Sequence, residues 1–251
     1  MSLLKVENIS KSFGTLNVLQ NVSLEVQPGE RHVIIGPNGA GKTTLFNCMT
    51  NHLAINAGAI YLEGKKINTI PANKLVHLGL SRTFQKNNLF GQLTVEENIQ
   101  LALAATKPYR YQVIKSLSRY SDIKKETNEI LEKWKISHRR HIKIDNLSYG
   151  EQRLLEVLLA MASKPKILLL DEPTSGMSPA ETTQTSEMIQ NLPRTMTVIV
   201  IEHDMEVVFS IADRITVLHH GEVILSGAPE EIRNNEIVKE IYFGGGAKAH
   251  A

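Results

Sequence analysis

A lysine and a threonine close a glycine-rich stretch at Gly36-Pro37-Asn38-Gly39-Ala40-Gly41-Lys42-Thr43. This is a full match to G-x-x-x-x-G-K-[ST]. Glycines at this spacing let the backbone curl until successive N–H groups point inward, which suits phosphate oxygens. The apolar residues His32 to Ile35 precede the stretch and a helical pattern from Thr44 follows it. A helix N-terminus would then add its partial positive charge. In that setting Lys42 reaches the outer phosphates of a nucleoside triphosphate and Thr43 offers a hydroxyl to Mg²⁺. A second cluster lies far along the chain, where Ile167-Leu168-Leu169-Leu170 runs into Asp171 and Glu172. A buried parallel strand delivers its C-terminal residues to the ligand edge of an open sheet. Asp171 is therefore expected to hold Mg²⁺, through water. Alternation along the strand turns Glu172 elsewhere, to polarise an attacking water.

The elements around these residues follow from apolar periodicity. The first 65 or so residues read as β-rich, with strands at 3–9, 22–26, 32–35 and 59–62. A helix is expected from residue 41 or 42 through Met49, and a short apolar piece at 80–84. Thr94 reads as an N-cap, with Glu97 completing a capping box. Residues 94–163 then read as mostly helical. After Lys166 strands return at 167–170, 197–201, 215–218 and 222–225, with helices at 179–192 and 206–212 and a last one from Pro229. Strands alternating with helices predict a parallel α/β sheet, into which the helical middle is inserted.

Composition sets the outer limits. The 251 residues carry 28 Lys and Arg against 26 Asp and Glu, a net charge of +2 that does not argue for nucleic acid. The 42% hydrophobic and 22% charged content excludes a disordered or collagen-like chain. No apolar run nears the roughly 18 residues of a spanning helix, and no basic stretch followed by an apolar one marks a signal peptide. The single cysteine, Cys48, excludes an intrachain disulfide and fits a cytosolic address. Residues 107–143 are locally basic, with 11 Lys and Arg against four acids, which suits a solvated helical face or a surface near anionic lipid.

Leu147-Ser148-Tyr149-Gly150-Glu151-Gln152, about twenty residues before Asp171, resembles the L-S-G-G-Q signature of ATP-binding-cassette (ABC) ATPases, with Tyr149 in place of the first Gly. The other family marks stand in order: Phe13 before Gly14, Gln85 after Thr83 and Phe84, Ser175-Gly176-Met177-Ser178 after the acidic strand, and His203 after the strand at 197–201. Residues 36–47, 81–85 (SRTFQ), 93–98 (LTVEEN), 201–205 (IEHDM) and 241–244 (IYFG) are similar to the ATPases of branched-chain amino acid importers. Those of urea and short-chain amide importers and of lipopolysaccharide export share much of this pattern, and ABC ATPases with no transport role remain a further alternative.

The resemblance implies a P-loop NTPase (RecA-like) ABC nucleotide-binding domain of the α/β class. It has an N-terminal antiparallel β subdomain and an inserted α-helical subdomain. The catalytic core would take about 1–93 and 164–243, the helical part about 94–163, and 244–251 would be a flexible tail. The resemblance further implies ATP held by Phe13, Gly36, Pro37, Asn38, Gly39, Ala40, Gly41, Lys42, Thr43 and Thr44. Across a dimer it would be met by Leu147, Ser148, Tyr149, Gly150, Glu151 and Gln152 of the facing subunit. Mg²⁺ would fall to Thr43, Gln85 and Asp171, and catalysis to Glu172, His203, Gln85 and Lys42. Partners would be a second ABC ATPase subunit, of the same or a sister chain, integral membrane permease subunits and, indirectly, a solute-binding protein. The chain would sit peripherally on the cytoplasmic face of the cell (inner) membrane. No nucleic acid is expected.

Overall fold

The computed structural model describes residues 2–83, 89–107 and 120–243. The chain begins with a long hairpin, β1 (Leu4–Phe13) and β2 (Leu16–Val26), then β3 (Arg31–Ile35) and α1 (Lys42–Met49). β4 (Ala57–Leu62), β5 (Lys65–Lys66), a short α2 (Ala72–Leu75) and β6 (Leu80–Arg82) follow. The helical middle contains α3 (Val95–Ala105), α4 (Ser121–Lys133) and α5 (Tyr149–Met161). Strand and helix then alternate through β7 (Ile167–Asp171), α6 (Pro179–Gln190), β8 (Thr197–Ile201), α7 (Met205–Ile211) and β9 (Arg214–His219). The chain closes with β10 (Glu222–Gly227), α8 (Pro229–Asn234) and α9 (Glu236–Phe243).

Two sheets result. An antiparallel sheet has the order β2-β1-β4-β5, and a six-stranded sheet the order β10-β9-β3-β8-β7-β6. In the larger sheet every neighbouring pair from β6 to β9 is parallel, and only β10 runs antiparallel, against β9. All residues of β3, β7 and β8 are buried, as strands covered on both faces must be. Their pleat sorts side chains into two cores. Val33, Ile35, Leu168, Leu170, Val198 and Val200 face one, and Ile34, Ile167, Leu169, Ile199 and Ile201 the other. The second core is closed by the antiparallel sheet and by Leu45, Phe46, Cys48 and Met49 of α1. In it the Cys48 thiol is buried, which pushes its pKa up to about 11 and leaves it unreactive.

The first core extends without a break into the helical middle, through Ile99, Leu103, Ile123, Leu131, Leu154 and Leu158. That middle starts where the sequence predicts. The Thr94 N–H donates to Glu97 Oε2 at 2.8 Å, and the Glu97 N–H to Thr94 Oγ1 at 3.2 Å. Within the basic segment, Lys107 pairs with Asp122 and Glu126, and Lys125 with Glu129, so part of its charge is locally matched.

The strand ends are fixed on the side away from the phosphate loop by Arg31, which is fully buried. Its guanidinium donates to the carbonyls of Met196 (2.7 Å), Gly29 (3.2 Å) and Leu192, tying β3 to the turn after α6. Arg31→Met is expected to leave these carbonyls without a donor at a cost of about 3 kcal/mol. That corresponds to a fall of roughly 6–12 °C in Tm for a chain of this size. A melt with no change in Tm would show that the turn satisfies its carbonyls by other means.

Candidate functional site

The phosphate loop leaves β3 at its C-terminal end and enters α1. Gly36 is required by close approach, since a Cβ there would lie 2.1 Å from the Leu218 carbonyl oxygen of β9. Gly41 caps α1 with φ +102°, a left-handed conformation that L side chains rarely adopt, and no side chain caps the helix. The N–H groups of its first turn are therefore available to an anion. The Ala40 N–H donates to the Pro37 carbonyl at 3.1 Å and the Gly221 N–H to the Ala40 carbonyl at 3.1 Å, fixing the curl. Asn38 and Gly39 are exposed, Pro37, Thr43 and Thr44 half-buried. Lys42 is buried, and its ammonium donates to the carbonyls of Gly36 (2.6 Å) and Pro37 (3.1 Å). Burial pushes its pKa down, while the carboxylates of Glu172 and Asp171 pull it up. The charge thus lies inside the curl, where phosphate oxygens would meet it.

Asp171 ends β7 beside β3's neighbour β8, in register with Ile201. Its carboxylate is buried. Oδ2 accepts from Arg82 Nη2 at 2.8 Å, and Oδ1 has no hydrogen-bond partner. Burial pushes the Asp171 pKa up, Arg82 pulls it back, and Glu172 adds to the rise. An orphaned buried carboxylate oxygen is costly unless something takes it. Such an oxygen is a hard donor of the kind that fits Mg²⁺, which keeps most of its ligands as water and phosphate. Among the described residues no cluster of three or more His, Cys, Asp or Glu could hold a metal by itself.

Glu172 reaches its position differently from the expectation. The pleat does not turn it aside, because the strand stops at Asp171. Glu172 itself takes φ +48°, a left-handed conformation that is uncommon outside glycine. Its N–H still donates to the Ile201 carbonyl at 2.9 Å, so β8 fixes the kink. Glu202, fully buried after β8, braces the same place. One oxygen accepts from the Thr174 N–H (3.3 Å) and hydroxyl, and the other from the His203 N–H at 2.9 Å. The His203 ring remains exposed, with Nδ1 at 3.6 Å from Glu202 Oε2. Lys42, Asp171, Glu172 and His203 thus lie at or beyond the C-terminal ends of three adjacent parallel strands, β3, β7 and β8.

The signature segment stands elsewhere. Ser148 caps α5 through a box with Glu151, with N–H···Oε2 at 2.9 Å and N–H···Oγ at 3.2 Å. Leu147 is buried and Tyr149 exposed, while Gln152 donates to the carbonyls of Ile144 and Leu147, both at 3.2 Å. The Ser148 hydroxyl donates to Glu181 Oε1 at 2.8 Å, and a Cβ on Gly150 would strike that carboxylate at 2.4 Å. These contacts run to α6 and to the loop before α5, whereas the phosphate loop draws on β9 and the turn at Gly221. Phe13 ends β1 and is 48% exposed, with Lys11 Nζ 5.1 Å from its ring centroid. Gln85 lies outside the described residues. The sequence reading passed over Arg82, Glu202 and Glu181. Glu202 shows the same pattern as Asp171, an acid directly after four apolar residues, and that signal could have marked it.

Comparison with known proteins bears on this geometry. The family described as "ABC transporter" matches residues 19–175, and "Branched-chain amino acid ATP-binding cassette transporter" matches residues 222–248. The high-affinity branched-chain amino acid transport ATP-binding protein LivG of Escherichia coli (strain K12) is 38% identical, over 96% of this chain and 98% of LivG. BraF of Pseudomonas aeruginosa, described in the same words, is 36% identical over the same shares. The lipopolysaccharide export system ATP-binding protein LptB of Haemophilus influenzae is 32% identical, over 97% of this chain and 98% of LptB. A crystal structure of an ATP-binding cassette in its ADP conformation superposes with a TM-score of 0.86 and 32% identity, covering 97% of this chain and 99% of that one. With a phosphate loop, an acidic strand end and a capped signature helix on this fold, the chain belongs to the ABC transporter family and is one of its ATPase subunits.

Proposed function

We propose that this chain is the ATP-driven motor of an importer of branched-chain amino acids. The convergence of Lys42, Asp171, Glu172 and His203 on one sheet edge carries the ATPase chemistry. Similarity to LivG and BraF along nearly the whole chain, together with the match at residues 222–248, supports the cargo class. The lower identity to LptB favours import over lipopolysaccharide export. ATP would lie with its phosphates in the Gly36–Thr44 segment and its adenine on Phe13. Mg²⁺, bound through Thr43, Asp171 and Gln85, would neutralise phosphate charge. Lys42 holds the outer phosphates, Glu172 takes the proton of the attacking water, and His203 contacts the γ-phosphate. Leu147 to Gln152 of a second cassette, same or sister chain, would complete the site, so closing the dimer would move the permease and hydrolysis would reset it. Within this reading the chain divides into the core at about 1–93 and 164–243, the helical part at about 94–163 and the tail at 244–251.

No helix among the described residues is long and apolar enough to cross a membrane, so the reading needs a docking surface for a permease on the inner-membrane face. Phe90 offers one. The residue is 60% exposed while Asn98 clips its backbone, accepting from the N–H at 2.9 Å and donating to the carbonyl at 3.2 Å. Leu89 turns inward against the first core. Beside Phe90 opens a groove of about 460 Å³ lined by Arg82, Thr83, Leu101 and Glu156. Phe90→Asp is expected to abolish co-purification with permease subunits while the isolated chain keeps its ATPase rate. Retained assembly would remove Phe90 from the interface. The function is tested by capturing tagged Glu172→Gln protein with Mg-ATP from detergent-solubilised native membranes. Two polytopic permease subunits and a cassette are the expected companions. Ribosomal or DNA-bound material without integral membrane protein would overturn the transport reading.

A further inference from the structure

Arg82 is bonded to the buried carboxylate of Asp171. It leaves the last residue of β6, and its side chain is 7% exposed against 0% for Asp171. One arm of the fork, Nη2, donates to Asp171 Oδ2 at 2.8 Å. The other, Nη1, donates to Asn47 Oδ1 at 2.5 Å, on the helix that leaves the phosphate loop. The guanidinium carbon stands 5.7 Å from the centroid of Phe46, one residue earlier on that helix. Three elements, β6, β7 and α1, therefore meet in one planar group. Anchored to α1 through its other arm, the planar guanidinium meets Asp171 Oδ2 from a fixed direction, which a lysine ammonium on a flexible stem cannot do.

We propose that Arg82 is a positioning residue for the metal carboxylate: it takes Oδ2 of Asp171 and so reserves the partnerless Oδ1 for the hydration shell of Mg²⁺. The proposal rests on the reading that ATP is bound as its Mg²⁺ complex at Asp171. Arg82 touches neither nucleotide nor metal in it. It acts by denying Asp171 a rotation that would present the other oxygen, or neither.

The test separates metal from nucleotide. Binding of a fluorescent ATP analogue to the full chain is titrated in EDTA and again in Mg²⁺, and Mn²⁺ uptake is followed by electron paramagnetic resonance. In Arg82→Lys and Arg82→Met, affinity in EDTA is expected to stay within about twofold of the parent, because no phosphate contact is touched. The gain in affinity on adding Mg²⁺ is expected to fall at least fivefold, with Mn²⁺ bound correspondingly more weakly. Asn47→Ala removes the shorter contact of the other arm, beside Thr50 Oγ1 at 3.5 Å, and is expected to keep the metal gain. A purely structural Arg82 would lower EDTA and Mg²⁺ affinities together, or yield no folded variant, and either result overturns the proposal. A metal gain unchanged in both Arg82 variants, or lost equally in Asn47→Ala, overturns it too. If the parent itself shows no gain with Mg²⁺, the metal reading of Asp171 fails first and the role of Arg82 falls with it.

Discussion

Glu172→Gln is expected to lower steady-state ATP hydrolysis by about 10²–10⁴-fold while ATP still binds, the loss typical of a missing general base. The substitution is close to isosteric, and Gln meets the same demand of φ +48° that Glu already meets, so the backbone gains no new strain. The N–H bond of residue 172 to Ile201 and the bracing of Thr174 by Glu202 do not involve the altered atoms. What is lost is the acceptor for the water proton. With ATP bound and not consumed, the variant is expected to accumulate as a dimer in size-exclusion chromatography with Mg-ATP and to return to monomer in ADP. A normal turnover rate would remove Glu172 from its role.

Lys42→Ala acts earlier, on binding. It removes a charge-assisted hydrogen bond to phosphate, a contact worth about 1.5–3 kcal/mol. By the usual conversion that weakens ATP roughly tenfold to more than a hundredfold. It also leaves the carbonyls of Gly36 and Pro37 without the ammonium that bonds them. The curl itself should survive, since it rests on backbone bonds from Ala40 and Gly221 and on the packing of Gly36 against Leu218. Calorimetric titration with ATP is the check, and unchanged affinity would count against the phosphate-loop assignment.

Much of this was legible in the sequence where structure is local. The Thr94–Glu97 box, the buried strands expected at 167–170 and 197–201, and the glycine-lysine-threonine stretch all carry their information within a few residues. Leu16 to Asn21 was not read as strand. Its residues are mostly exposed, and pairing with β1 holds them extended in the absence of an apolar pattern. The register shifts near Ile9 and Lys11 obscure the alternation further. Arg82 lies 89 residues from Asp171, and Ser148 lies 33 from Glu181. A contact across such a separation leaves no period to detect in the sequence. The conformation of Glu172 departs from the expectation because alternation describes a strand and the strand has already ended at Asp171.

The sheet order has a mechanical corollary. β6 is three residues long, lies at the rim of the six-stranded sheet and bonds only to β7, while β7 has neighbours on both sides. A short rim strand opens at lower free energy than the interior it flanks, so its amides should exchange with solvent sooner than those of Leu168 to Leu170. This rim seam runs directly beside Asp171, so a pull on the chain at Arg82 would reach that carboxylate through a single strand pairing and one ion pair.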